Sequence, residues 1–440
     1  MWFKGVLVVV IVSVALFKWV ESLNSSSFPA DFVFGTASAA TQIEGAVYEG
    51  GKGQSNWDYF AHKYTGKMVD HSNADIATDS YHRYKEDVGL MKDIGFQAYR
   101  FSVSWSRILP SGKLKDGVNQ EGITYYNNLI NELVSNGIQP FITLFHWELP
   151  QTLEVEYGGF LSPNIVQDFA DFAEVCFREF GDRVKHWITL NEPLPFSLQG
   201  YAYGVFPPAR CSKWVRPDCE AGDSSSEPYL VSHHQLLAHA AAVNLYRHKF
   251  QVSQKGQIGV AFSFPWIMPL SPSKADMDAA SRAFAFLDEW YMGPLYHGEY
   301  PAAMVEKLGD RLPKFSSKES AMLKGSFDFL GINYYTATYV GDRPCQHENL
   351  TFLSDICALF SATRDGVLIG SKTATDWLHT YPHGILDLLE YTKENYGDPI
   401  IYITENGINE PNDGTKALDD NFRIDFLAEH LSYIEKAIRI

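Results

Sequence analysis

The sequence predicts a parallel α/β barrel, on three observations. Short apolar runs alternate with longer amphipathic ones along almost the whole chain. Seven such pairs are present, and no Pro-, Gly- or Ser-rich linker divides them into two doubly wound sheets. Each apolar run ends in polar or aromatic residues that a core does not need. A barrel explains this last feature, because it gathers the carboxyl ends of its strands on one face. The 440 residues fit one large barrel.

The elements follow in order. Lys4, the apolar run Val6–Phe17 and the small-residue site Val20-Glu21-Ser22 read as a signal peptide over residues 1–22. Residues 23–440 are then the barrel. The first strand is expected at Phe32–Gly35, followed by a long loop, Ala40–Thr78. The helix Asp79–Ile94 places Tyr81, Tyr84, Val88 and Met91 on one face, at spacings of three and four. Strands are expected next at Ala98–Val103, Gln139–Phe145 and His186–Leu190, then at Gln257–Phe264, Phe329–Asn333 and Ile400–Thr404. The helices between and after them are Gln120–Asn136, Pro163–Phe180, His233–Phe250, Ala275–Tyr296, Pro382–Tyr396 and Asp419–Arg439. Gly95, Gly137 and Gly397 stand where helices must stop, and Asp419-Asp420-Asn421 offers N-caps for the last one. Two more long loops, Ala202–Ser232 and Tyr335–Tyr381, follow strands and belong on the active face.

Composition narrows the function. The net charge is −17, from 36 basic and 53 acidic residues. That balance excludes nucleic acid as a partner, since phosphate binding needs clustered Lys and Arg. Beyond the N-terminal run no stretch approaches about 18 uninterrupted apolar residues, so no membrane contact is expected after signal cleavage. Five cysteines sit in an oxidising setting. Cys211 and Cys219 bracket a polar loop they could close, Cys345 and Cys357 are a weaker pair, and Cys176 reads as a buried thiol. Asn24 and Asn349 stand in glycosylation sequons. No His, Cys, Asp or Glu cluster has metal-ligand spacing, and no glycine-rich phosphate loop follows the first strand. Neither a metal nor a cofactor is expected.

The chemistry sits at the strand ends. Strand four ends Asn191-Glu192-Pro193, and strand seven ends Thr404-Glu405-Asn406-Gly407. Two carboxyls then share one pocket, as glycoside hydrolysis requires. Their separation decides between retention and inversion of configuration, and sequence gives no distance. One carboxyl must keep its proton near neutrality and the other must stay ionised. Arg100, at the end of strand two, is placed to be the cation that keeps it so. His146, beside Trp147 at the end of strand three, reads as a ligand for sugar hydroxyls. Asn333, at the end of strand six, joins the same face. His233 and His234, at a helix start, read as structural.

These motifs resemble glycoside hydrolase family 1, and its plant β-glucosidases in particular, from about Phe28 to Ile440. Phe34-Gly35-Thr36-Ala37-Ser38-Ala39-Ala40-Thr41-Gln42-Ile43-Glu44-Gly45 is similar to the family's N-terminal signature, and Phe145-His146-Trp147 to a second motif. Thr189-Leu190-Asn191-Glu192-Pro193 resembles the acid/base motif and Ile403-Thr404-Glu405-Asn406-Gly407 the nucleophile motif. The resemblance implies a (β/α)8, TIM-type barrel and a retaining β-glucosidase without a cofactor, acting on small-molecule β-glucosides. It implies Glu192 as acid/base and Glu405 as nucleophile. It implies Gln42, His146 and Asn191 as glucose ligands, Tyr335 as a contact of the nucleophile, and Trp377 as a stacking surface for the aglycone. The Cys211–Cys219 loop resembles the family's usual disulfide. Glutamate at position 192 points to O-glucosides, because thioglucosidases commonly carry glutamine there. The family pattern continues past helix seven, so strand eight and helix eight are expected to be lacking here. The alternative is a truncated relative that binds glycosides or proteins without turning them over. The secretory pathway, extracellular or vacuolar, is the expected location. The aglycone and the oligomeric state are left open.

Overall fold

Strands form where short β-branched and aromatic runs find parallel neighbours that helices can cover on the outside. In the computed structural model, which describes residues 24–409 and 420–440, seven runs do so. They are β1 (Gly35–Ala37), β2 (Ala98–Ser102), β3 (Gln139–Phe145), β4 (His186–Asn191), β5 (Gln257–Ser263), β6 (Phe329–Asn333) and β7 (Ile401–Glu405). All pair in parallel and in chain order. Among the described residues, β1 and β7 end the sheet. The architecture is the α/β, TIM-type barrel that the sequence predicts. The sheet curls far enough that Arg100 of β2 reaches Glu405 of β7.

The outer layer consists of α1 (Ser80–Ile94), α2 (Gln120–Ser135), α3 (Asn164–Phe180), α4 (Glu227–Lys249), α5 (Lys274–Leu287), α6 (His383–Asn395) and α7 (Asn421–Arg439). Gly95, Gly137 and Gly397 take positive φ of 91°, 75° and 71°, as helix ends require. Asp420 caps α7, its side chain accepting the Arg423 amide at 3.3 Å. The signal-peptide segment 1–22 and the cap candidate Asp419 lie outside the described residues.

Two cores result. The larger one fills the space between strands and helices, with Trp187, Phe177 and Tyr246 among its fully buried members. The smaller one fills the barrel, where Ile188, Ala261 and Phe329 are fully buried and Tyr402 packs against them. At the amino end of the barrel, Phe141 stacks on His186 at 4.0 Å, and Tyr402 stands edge-on to Phe141 and Phe329 at 5.3 and 5.1 Å. This aromatic layer closes the floor. The open end at the carboxyl ends of the strands is left for chemistry.

Three expected elements are corrected. β1 lies later than Phe32–Gly35, because Phe28, Phe32 and Phe34 instead pack their rings on one another at 4.5–5.2 Å. The smaller Gly35-Thr36-Ala37 pairs with β2, so closely that a Cβ on Gly35 would stand 2.7 Å from the Ala98 carbonyl. α4 starts at Glu227 rather than His233, since Pro228 is tolerated in a first turn. The expected helix Ala275–Tyr296 divides at Asp288 into α5 and Glu289–His297. The loop after β6 also carries strands, Ala337–Asp342 and Ala358–Ser361. With Trp266–Pro269 these make a separate three-stranded sheet. His233 and His234 are buried in α4 and bonded to the Tyr300 hydroxyl and the Phe160 carbonyl, which fits a structural role.

Close packing within the barrel makes one prediction. A Cβ on Gly259 of β5 would meet the Phe329 carbonyl oxygen at 2.3 Å and the Phe329 ring at 2.8 Å. Gly259→Ala is expected to cost about 1–3 kcal/mol of stability. Thermal melting followed by circular dichroism should give a lower Tm; an unchanged Tm would show that the strands can spread.

Candidate active site

The site is built on irregularities in two strands. An alternating strand sends consecutive side chains to opposite faces. In β7, Tyr402 points into the barrel and Ile401 and Ile403 pack outward. The register then shifts between Ile403 and Glu405, and Thr404 and Glu405 both reach inward. β4 shifts likewise between Ile188 and Asn191. Such shifts re-aim side chains. Beyond β4, Glu192 takes φ of 42°, in the left-handed region that a non-glycine residue enters only under constraint. Pro193 then opens the next helix, Pro193–Tyr201, at a position suited to proline.

Arg100 links these pieces. Its side chain is buried and spends its donors on four groups. Nη1 donates to Glu405 Oε1 at 2.5 Å and to the Thr404 carbonyl at 3.3 Å. Nη2 donates to Asn191 Oδ1 at 2.5 Å, and Nε to Thr143 Oγ1 at 3.1 Å. Glu405 Oε2 accepts the Tyr335 hydroxyl at 2.6 Å. Glu192 Oε1 accepts Asn333 Nδ2 at 2.9 Å; the same amide reaches Asn191 Oδ1 at 3.1 Å, while Thr404 Oγ1 donates to Asn333 Oδ1 at 2.6 Å. Arg100, Asn191 and Asn333 therefore connect the two carboxyls in one network.

The orientation of Asn191 fixes the state of His146. Its oxygen accepts from Arg100 and Asn333, so its amide faces His146 Nε2 at 3.0 Å and must donate. His146 then carries its proton on Nδ1, a buried atom with no hydrogen-bond partner in the protein. Burial pushes the His146 pKa down to about 4, so the ring is neutral at physiological pH.

The two carboxyls differ in their environments. Glu192 is buried, and desolvation, then repulsion from Glu405, raises its pKa to about 7. Desolvation acts on Glu405 in the same direction, but the charge of Arg100 and the bond from Tyr335 outweigh it, and its pKa is lowered. One acid holds its proton up to neutrality beside a carboxylate that is already ionised. That pair can give a proton to one atom and an electron pair to a neighbouring one.

The remaining expected residues lie around this centre. Gln42 is exposed on a four-residue helix, Ala40–Ile43, just after β1. Trp377 is 61% exposed and stands edge-on to Tyr335 at 6.1 Å. Trp147 donates from Nε1 to the Asn191 carbonyl at 2.8 Å. Sequence reasoning missed Thr143 and Thr404, because hydroxyls within apolar strands look like ordinary β formers. Their inward aim depends on register that a sequence does not display. Cys211–Cys219 and Cys345–Cys357 are both disulfide-bonded, and Cys176 is a buried free thiol. Among the described residues no group of three or more His, Cys, Asp or Glu converges to hold a metal ion. An open surface groove lined by Lys113, Tyr157, Asp168 and Asp171 includes none of the predicted site residues.

A barrel with this pair of carboxyls at its carboxyl end has the layout of a glycoside hydrolase. The chain belongs to glycosyl hydrolase family 1, whose model matches residues 24–440. It is 55% identical over 419 residues to β-glucosidase 13 of Arabidopsis thaliana, covering 95% of this chain and 83% of that one. Its fold is similar to that of a mutant of the rice Os3BGlu6 β-glucosidase solved in a covalent complex with Glc. There the TM-score is 0.92 at 47% identity, over 94% of this chain and 88% of that one. It is also similar to a β-glucosidase of the fungus Humicola insolens solved in complex with glucose. That match has a TM-score of 0.90 at 40% identity, over 93% and 86% of the two chains. The function is that of a β-glucosidase.

The charge balance at Glu405 can be tested directly. Arg100→Met removes the largest of the influences that offset its desolvation, so the Glu405 pKa should rise. Carboxyl-13C NMR titration of both proteins reads this shift. A Glu405 pKa that stays depressed in the variant would assign the effect to other groups.

Proposed function

We propose that Glu192 and Glu405 carry out a two-step hydrolysis of terminal β-D-glucosyl residues of O-glucosides, with retention of configuration. In the first step a Glu405 oxygen attacks the anomeric carbon. The bond from that carbon to the aglycone oxygen breaks as Glu192 gives its proton to the departing oxygen. A glucosyl ester of Glu405 results. In the second step Glu192, now ionised, takes a proton from water. The water oxygen attacks the anomeric carbon, the ester bond breaks, and glucose leaves with Glu405 free again. The observation that carries this reading is the asymmetric bonding of the two carboxyls, Glu405 to the Arg100 guanidinium and the Tyr335 hydroxyl and Glu192 to the Asn333 amide, within one network.

The other residues bind. Gln42, exposed just after β1, and His146, half-buried at the end of β3, are the partners for glucose hydroxyls. Asn191, already held by Arg100, is the partner for the sugar 2-hydroxyl. Tyr335 holds Glu405 in place through its hydroxyl, and Trp377, exposed at the rim, offers a face to the aglycone. The relative solved with covalently attached Glc supports a covalent step in this family.

The pH profile follows from the two acids. Turnover needs Glu405 ionised and Glu192 protonated. kcat/KM should therefore rise as pH climbs through the depressed Glu405 pKa and fall as pH passes about 7, where Glu192 loses its proton. Glu192→Gln should abolish the alkaline limb and lower kcat by roughly 10²–10⁴-fold on glucosides with poor leaving groups. A 2,4-dinitrophenyl glucoside needs no proton on its leaving group. With it the variant should still form the ester, visible by mass spectrometry as a glucosyl unit on Glu405. A glucosyl unit on any other residue, or an alkaline limb that survives in Glu192→Gln, would refute the assignment.

We further place the chain in the secretory pathway, with its first 22 residues as signal peptide. Two disulfides and two exposed sequon asparagines, Asn24 and Asn349, support this. Asn349→Gln should remove one endoglycosidase-sensitive mobility shift from the secreted protein on a gel; an unchanged pattern would mean that Asn349 carries no glycan.

A further inference from the structure

The turn after β1 carries Gln42, and the turn after β3 carries His146 and Trp147. Neither turn is rigid by itself. The helix Ala40–Ile43 has four residues, too few to be stable alone. Trp147 takes φ of 75°, a backbone state that a bulky residue keeps only when its surroundings hold it there. Something must fix both.

Side-chain bonds from the neighbouring elements do so. The Ala40 amide donates to Ser102 Oγ at 2.7 Å. Glu44, directly after the short helix, accepts Arg107 Nε at 3.0 Å and the Tyr126 hydroxyl at 2.5 Å. On the β3 side, the Leu149 amide donates to Asn56 Oδ1 at 3.0 Å, and the Asn56 amide donates to the Leu149 carbonyl at 2.7 Å. Between these anchors, one bond joins the two turns directly. The Thr41 hydroxyl donates to Glu148 Oε1. Thr41 precedes Gln42, and Glu148 follows Trp147.

The surroundings largely shield this bond from bulk solvent. Glu148 is 3% exposed, and its second oxygen has no hydrogen-bond partner. A cavity of about 10 Å³, lined by Thr41, Glu44, Lys52, Asp58 and Glu148, has room for roughly one water. Burial, then the neighbouring Glu44, raises the Glu148 pKa to about 8, so below that pH its carboxyl is neutral and adds no charge near the site.

We propose that Thr41 and Glu148 are positioning residues of this β-glucosidase, whose hydrogen bond sets the Gln42 turn against the His146–Trp147 turn so that a glucosyl group meets a preformed set of partners. The proposal rests on Gln42 as a glucose ligand. Thr41 and Glu148 touch no reacting atom; they act through Gln42, and their loss weakens binding without changing the chemical step.

The test is steady-state kinetics on p-nitrophenyl β-D-glucoside, with thermal melting of each protein. Thr41→Val, which removes the donor and keeps the shape, should raise KM roughly three- to tenfold, with kcat within about twofold of wild type. Thr41→Ser and Glu148→Gln, which keep donor and acceptor, should stay near the wild-type KM. Gln42→Ala should raise KM by itself, and adding Thr41→Val to it should raise KM no further. An unchanged KM in Thr41→Val, with Gln42→Ala impaired, overturns the proposal alone. So does a Thr41→Val effect of equal size in both backgrounds, which marks a structural role independent of Gln42. An unimpaired Gln42→Ala removes Gln42 as a ligand, and the proposal with it. If Thr41→Val fails to melt cooperatively, Thr41→Ser and Glu148→Gln decide: a raised KM in both, with wild-type Tm, overturns the proposal.

Discussion

The buried guanidinium of Arg100 is the constraint around which the open end of the barrel is arranged. A cation taken from water into a protein interior loses several kcal/mol of hydration, and only close anionic and polar partners repay it. Arg100 finds them on three other strands: Thr143 on β3, Asn191 on β4, and Glu405 with the Thr404 carbonyl on β7. Each of these strands is positioned independently by its helix and by the apolar layer below. The guanidinium ties their carboxyl ends to a common centre. Removing it would leave Glu405 as a buried charge without a counter-ion, the costly half of a broken pair.

The same charge separates the two acids. Glu192 and Glu405 have the same side chain and lie in one network, so intrinsic chemistry does not distinguish them. Desolvation raises both. Arg100 bonds Glu405 directly but is linked by hydrogen bonds to Glu192 through Asn191 and Asn333, which are neutral amides, and its charge lowers the Glu192 pKa less than desolvation and Glu405 raise it. Ionised Glu405 then becomes the nearby negative charge that helps Glu192 keep its proton. One cation, placed asymmetrically, yields a donor and a nucleophile from a matched pair. Because the two titrations are linked, a change at either carboxyl moves the other.

Strand existence was legible because parallel strands buried on both faces read as continuous apolar runs, and six of the seven begin and end within a few residues of where the pattern places them. β1 escaped because its residues are small and its neighbours large. Phe28, Phe32 and Phe34 carry the hydrophobic signal, but they cluster on one another, and the pairing falls to Gly35-Thr36-Ala37. The site residues were legible as polar groups at strand ends. What sequence could not show was aim. Thr404 and Glu405 are consecutive, and strict alternation would send one of them outward; only the register shift in β7 turns both inward. The partners of Thr143 and of the strand-end Glu148 were not legible for a related reason, since they lie far away in the chain, at Arg100 and Thr41. The side sheet of Trp266–Pro269, Ala337–Asp342 and Ala358–Ser361 was read as loop, because its strands are short and two of them sit inside a long irregular connection.

Four departures from regular backbone lie close to the two carboxyls. Trp147 and Glu192 both take positive φ, and the register shifts of β4 and β7 lie within a few residues of the two carboxyls. Each departure costs folding free energy, of order 1–3 kcal/mol for a strained backbone residue. They persist because the groups they turn inward satisfy one another. Glu192 leaves the strand in a left-handed turn, and Asn333 receives its carboxyl. Trp147 turns sharply, and the Asn191 carbonyl accepts its indole N–H. The polar network thus stabilises the strained backbone, and the strained backbone delivers the polar groups. The two are coupled across strands, since Arg100 of β2 bonds Glu405 of β7. A substitution that relaxes the backbone at Glu192 or Trp147 would leave the strands in place and still disperse the network, and activity would be lost well before the fold.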